Sequence, residues 1–87
     1  MTYELQVERA ARRALDVLPP REYERIEQAI DALAHNPRPR NARKIKGGVM
    51  LWRLRVGNYR IIYGVFDRER LVKIVRVARR REDTYRL

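Results

Sequence analysis

Guanidinium groups dominate the chemistry open to this chain. Arg53 and Arg55 alternate with Leu54 and Val56, Arg60 stands between Tyr59 and Ile61, and Arg76 and Arg80 follow near the C-terminus. A planar guanidinium donates two parallel hydrogen bonds that a lysine ammonium does not reproduce, so a convergent set of arginines suits phosphate groups. Charge is also partitioned along the chain. Residues 36–87 hold 16 Lys/Arg against 4 Asp/Glu, whereas residues 1–35 hold 5 against 7. A basic half interleaved with aromatic and β-branched residues is the electrostatic footprint of a polyanion binder, most often of nucleic acid.

Other chemistries are poorly supplied. The chain has no cysteine, which removes disulfides and thiolate metal sites and fits a reducing compartment. His35 is the sole histidine and precedes Asn36-Pro37 at the end of an apolar helical pattern, where a C-terminal dipole contact or solvent explains it better than catalysis. Gly47-Gly48 lacks the Lys-Ser/Thr and following helix of a phosphate loop and reads as a hairpin turn. In the basic half, Asp67 and Glu69 fall in a turn and only Glu82 and Asp83 lie near the arginines. A metal-dependent nuclease needs more oxygen ligands than that, so no metal and no cofactor is expected. Any cleavage of nucleic acid would proceed without a metal and without a histidine pair.

The arginines need a scaffold. Tyr3, Leu5 and Val7 alternate with polar residues as a short strand. Ala11, Ala14, Leu15 and Leu18 form one side of a helix that Pro19-Pro20 stops, and Tyr23, Ile26, Ala29, Ile30 and Leu33 form the stripe of a second helix that His35-Asn36-Pro37 closes. Pro37 to Asn41 reads as an exposed connector. Strands are expected at Lys44–Lys46, Met50–Val56, Tyr59–Phe66 and Leu71–Ala78, separated by short turns that argue for an antiparallel meander. The expected fold is a single α+β domain over residues 1–87: a strand, a helical hairpin, then a meander packed on the helices. With 45% apolar content, 87 residues suffice for one modest core. The N-terminus carries no signal-peptide pattern, and no apolar run approaches the roughly 20 residues of a membrane span, so a cytoplasmic protein with no membrane contact is expected.

Period-2 alternation puts Met50, Trp52, Leu54 and Val56 toward the helices and Arg53 and Arg55 on the opposite face. The same count groups Arg60 with Ile62, Gly64 and Phe66, and groups Arg76 and Arg80 with Val72, Ile74 and Ala78. Arg53, Arg60, Arg76 and Arg80 then converge if strand order and register allow it. The competing reading is a solvated basic face that keeps a small sheet soluble and its edges unpaired.

Three segments resemble the RelE/ParE superfamily of toxin-antitoxin toxins: Lys44-Ile45-Lys46-Gly47, Trp52 to Tyr63 with its Arg-x-Gly-x-Tyr-Arg-Ile-x-Tyr pattern, and Val75 to Tyr85. The resemblance implies a type II toxin with the RelE-like order of elements. It implies ribosome-dependent, metal-independent cleavage of mRNA in the A site, by attack of a ribose 2′-hydroxyl on the adjacent phosphate. Carried over position by position, Arg60 matches an arginine on the scissile phosphate, Arg80 the arginine that protonates the leaving oxygen, and Tyr85 the tyrosine that stacks on a base. Arg53 stands where a lysine general base is usual, and Leu51 replaces a second lysine. A guanidinium stays protonated at neutral pH, so Arg53 is assigned to charge stabilisation. Lys44, Lys46, Arg55, Arg76, Arg79 and Arg81 are the expected further RNA contacts. The resemblance also implies a cognate RelB-like antitoxin, with operator DNA contacted only through the toxin-antitoxin complex. The alternative it leaves open is a ParE-type, non-nuclease toxin that inhibits DNA gyrase, which the missing lysines favour.

Overall fold

A computed structural model of the chain describes residues 2–47 and 50–79. Leu5 and Val7 alternate with Glu4 and Gln6 in strand β1 (Glu4–Val7), and helical spacing then produces α1 (Arg9–Asp16) and α2 (Pro20–Leu33). Pro20 occupies the first turn of α2, where its missing N–H has no intrahelical partner to lose. Four strands follow: β2 (Ala42–Lys44), β3 (Leu51–Val56), β4 (Tyr59–Phe66) and β5 (Leu71–Arg79). The expected strand at Lys44–Lys46 is displaced toward the N-terminus. Ala42 is buried opposite Leu54 and fixes the pairing, while Lys46 lies in the turn that Gly47 continues with φ +82.

The sheet runs β1-β5-β4-β3-β2. Strands β2 to β5 form the expected antiparallel meander, and β1 joins it at the far edge, parallel to β5. The two helices therefore carry the chain from one edge of the sheet to the other and cover one face on the way. Leu15, Ile26, Ile30, Leu33, Leu54, Ile61, Tyr63, Val72 and Ile74 fill the space between, each no more than 4% exposed. Met50 departs from the expected inward set: it is exposed, with φ 63, just before β3 begins.

A β-bulge corrects the expected faces of β5. Ile62 pairs with Arg76 but Tyr63 pairs with Ile74, so Val75 is the extra residue and the alternation reverses around it. Val72 and Ile74 point into the core instead of sharing a face with Arg76, and Val75 is only half-buried. Without the bulge, a strict period of two would keep Arg76 on the face of Val72 and Ile74, burying all three or exposing all three.

The connector after α2 is also more tightly held than its composition implies. Pro37 is buried, and its carbonyl accepts a 2.8 Å hydrogen bond from the hydroxyl of the fully buried Tyr63. Arg38 makes a bidentate contact with Asp67 at 2.7 and 3.3 Å, Tyr3 donates to the same carboxylate at 2.6 Å, and the Arg38 guanidinium lies 5.6 Å from the centre of the Trp52 ring. The N-terminus, the connector and the β4–β5 turn are thereby tied together. This cluster holds the Asp67 carboxyl below the ordinary carboxylate range, chiefly through the Arg38 bond, and raises the Tyr3 hydroxyl through its bond to Asp67.

Candidate nucleic-acid interface

The face of the sheet away from the helices carries the arginines in transverse rows. Across β2, β3, β4 and β5 the register aligns Arg43, Arg53, Ile62 and Arg76 in one row, and Arg55, Arg60 and Ala78 in the next. Side chains on one face recur every second residue, so the rows lie roughly 7 Å apart. Arg43, Arg53, Arg55 and Arg76 are exposed and Arg60 is half-buried. Ile62, flanked in its row by Arg53 and Arg76, is only 6% exposed, which gives the arginine face an apolar centre.

Two pairs in these rows are directly opposed like charges, Arg43 with Arg53 and Arg55 with Arg60. Such pairs destabilise a sheet unless an anion screens them. On the same face the Lys73 ammonium lies 3.7 Å from the Glu8 carboxylate and 5.8 Å from the Phe66 ring centre. Arg53, Arg55 and Arg76 have no acidic partner among the described residues. Asn41, Arg43, Arg53 and Arg55 line a recess of about 320 Å³ at the β2 edge of the face. The arrangement concentrates guanidinium donors around a small open volume, which suits a phosphate. Among the described residues no three His, Asp or Glu side chains converge as a metal-ligand set.

The expected residues divide by position. Arg53, Arg55, Arg60 and Arg76 share the open face. Arg79 does not: it pairs with Tyr59 on the helix side, with its guanidinium 5.9 Å from the centre of that ring. Lys44 pairs with Trp52 and so belongs to the helix side at the sheet edge, and Lys46 is exposed in the turn beyond. Arg80, Arg81 and Tyr85 lie outside the described residues. Arg43 was not among the expected contacts, yet its register places it beside Arg53. Its guanidinium donates to the carbonyls of Arg40 at 3.2 Å and Ala42 at 3.1 Å, which fixes its direction. The signal for Arg43 is its parity with the buried Ala42, readable only once the start of β2 is known.

The family profile described as the ParE toxin of type II toxin-antitoxin systems, parDE, matches residues 5–84. The chain belongs to this family of toxins. The toxin is 28% identical over 89 aligned positions to the RelE1 protein of Methanocaldococcus jannaschii, covering 99% of this chain and 98% of the relative. It superposes on a chain of the archaeal RelE-RelB complex from Pyrococcus horikoshii with a TM-score of 0.83 and 32% identity, covering 94% of this chain and 99% of the other. A chain of the toxin-antitoxin complex RelBE2 from Mycobacterium tuberculosis gives 0.81 and 28%, covering 92% and 100%. Family and fold together make it a RelE/ParE superfamily toxin of a type II system with the RelE-like arrangement of elements. No helix of the toxin, among the described residues, is long and apolar enough to cross a membrane.

Proposed function

We propose that this toxin is a ribosome-dependent endoribonuclease that cuts mRNA in the A site by attack of a ribose 2′-hydroxyl on the adjacent phosphate. The observation that carries the reading is the pair of arginine rows, in which four strands contribute guanidinium groups to one face around an open recess. Attack of a hydroxyl on a phosphodiester adds negative charge to the phosphoryl oxygens, and pre-aligned donors stabilise that charge most where water is excluded. Arg53 and Arg60 are the phosphate-facing groups in this scheme and Arg43, Arg55 and Arg76 hold the flanking backbone. Arg80 and Tyr85 keep their expected roles in leaving-group protonation and base stacking. No lysine stands on β3, so catalysis rests on orientation and charge stabilisation, which supply large rate factors without a dedicated base.

The matched RelE-RelB and RelBE2 complexes support a cognate RelB-like antitoxin as partner; contact with operator DNA only through that complex is part of the same proposal. A toxin of net charge +10 gains association rate and specificity from an acidic partner laid over its arginine face. The cytoplasm, where ribosomes and mRNA are found, is its proposed compartment.

A second reading, inhibition of DNA gyrase through a protein interface, is favoured by the ParE family profile and by Leu51 and Arg53 in place of lysines. Primer extension on an mRNA in a purified translation system separates the two. Ribosome-dependent cuts that persist in EDTA, with ribosome integrity controlled, and vanish in the Arg60→Ala/Arg80→Ala double variant are expected. No cuts, with DNA breakage in cells that keep intact mRNA, would select the gyrase reading.

A further inference from the structure

The arginine recess does not end at the edge of the sheet. A second, apolar slot of about 490 Å³ lies between α2 and the end of β3, and the two volumes share Asn41 and Arg55 as lining residues. The slot is floored by Leu33, Leu54 and Val56 and owes its depth to small residues, Ala29 and Ala32 on α2 and Gly57 in the turn after β3. Gly57 has φ +59, and a Cβ built there would stand 3.1 Å from Nη1 of Arg25, so the glycine lets this guanidinium lie against the turn at the mouth of the slot. Two amides complete the rim. Asn36 accepts the backbone N–H of Arg38 at 3.2 Å through its Oδ1, which leaves its NH₂ group to donate, and the Asn41 side chain has no partner among the described residues.

We propose that this slot is a nucleoside subsite: it takes the base of the nucleotide adjoining the phosphate gripped by Arg43, Arg53 and Arg55. The inference rests on the reading that the arginine face binds RNA phosphate, and extends it to a base-binding site that the sheet face alone does not contain. An apolar floor receives the flat faces of a base, a guanidinium at the mouth stacks on a π-system, and amide groups pair with base edges. The volume falls in the range of small-molecule pockets, roughly 300–1,000 Å³. Charge complementarity selects the occupant, because a ligand that bridges the slot and the recess must carry a flat apolar part and an anionic part joined by a short link. A single-stranded RNA turning around the sheet edge at Asn41 and Arg55 meets that description.

The test uses the full-length toxin and two probes of equal length and charge, the trinucleotide ApApA and its abasic ribose-phosphate counterpart, with affinities from calorimetry. Stacking of one base contributes roughly 1–3 kcal/mol, so ApApA is expected to bind about 5- to 150-fold more tightly than the abasic oligomer. Ala32→Trp, a substitution at an exposed helix position, fills the slot and is expected to bring ApApA down to the abasic affinity. Nuclear Overhauser contacts from adenine protons to the Ala29, Ala32 and Leu54 methyls are expected in the wild-type toxin, which keeps the test independent of how the variant folds. Equal affinity for the two probes, or a base preference that survives Ala32→Trp, overturns the subsite, including the case in which that variant weakens only antitoxin binding. If neither probe binds, or if Arg53→Ala weakens neither, the phosphate reading of the arginine face fails and the subsite falls with it.

Discussion

At the scale of the residue, the informative contrast is between arginine and lysine on one face. Arg53 cannot accept a proton at neutral pH, so its proposed contribution is a fork of donors aimed at a phosphate. Arg53→Ala is expected to lower the ribosome-dependent cleavage rate roughly 100-fold, the scale of losing one strong transition-state donor, as measured by single-turnover cleavage of a programmed mRNA. Arg53→Lys keeps the charge but loses the fork, and a several-fold fall is expected; a gain in rate would instead assign proton transfer to this position. Arg43 tests the rows themselves. Its guanidinium is pinned by two carbonyls beside Arg53, and Arg43→Ala is expected to weaken binding of single-stranded RNA uniformly across sequences. The slope of log affinity against log salt should fall by about 0.7, the release of one counterion from a single strand. A change in sequence preference without a change in slope would count against a phosphate role.

At the scale of the element, β5 decides which arginines meet. The bulge at Val75 moves Arg76 from the parity of Val72 and Ile74 to that of Arg53 and Arg60. Deleting Val75 removes the extra residue and sets Ile74 and Arg76 in succession opposite Tyr63 and Ile62, a plain alternation that keeps Val72, Ile74 and Val77 inward and Arg76 outward. The deletion variant is therefore expected to keep most of its stability in urea unfolding and to keep RNA binding, and loss of Arg76-dependent binding would count against this reading of the bulge. Leu54→Ala, by contrast, leaves the register alone and removes a side chain 4% exposed; its expected cost is roughly 2–5 kcal/mol. These cases show what was legible in the amino-acid pattern. The helices, the limits of β4 and the outward face of β3 follow from periodicity and proline placement alone, because each is a local property. The parallel pairing of β1 with β5 and the alignment of Arg43 with Arg53 depend on register between distant segments, on which local alternation is silent. The bulge is harder still, since Val75 differs in no way from the β-branched residues around it until the core selects Val72, Ile74 and Val77.

At the scale of the whole molecule, the same contacts that hold the connector set the limits of stability with pH. On the acid side, Asp67 is held below its usual range by Arg38 and Tyr3, so its contribution is present above the ordinary carboxylate pKa and is lost as pH falls through the depressed value. The group is exposed and its effect is screened, which makes the alkaline limit the sharper test. Tyr63 is fully buried at the centre of β4 and donates to the Pro37 carbonyl, and burial pushes its hydroxyl from 10.0 up to about 12, opposed only in part by the Arg38 charge. The folded state thus keeps a proton that the unfolded chain releases more readily. Its contribution is complete below pH 10 and is withdrawn as pH rises toward about 12, at roughly 1.4 kcal/mol for each pH unit in that window. Urea unfolding followed by Trp52 fluorescence between pH 8 and 12 is expected to show this decline in the wild-type toxin. Tyr63→Phe should begin about 1–3 kcal/mol less stable at neutral pH, because the buried Pro37 carbonyl loses its donor, and should then fall less steeply above pH 10. Parallel curves for the two proteins would mean that the Tyr63 hydroxyl ionises as freely in the fold as outside it, and that the connector is not held to the core through this bond.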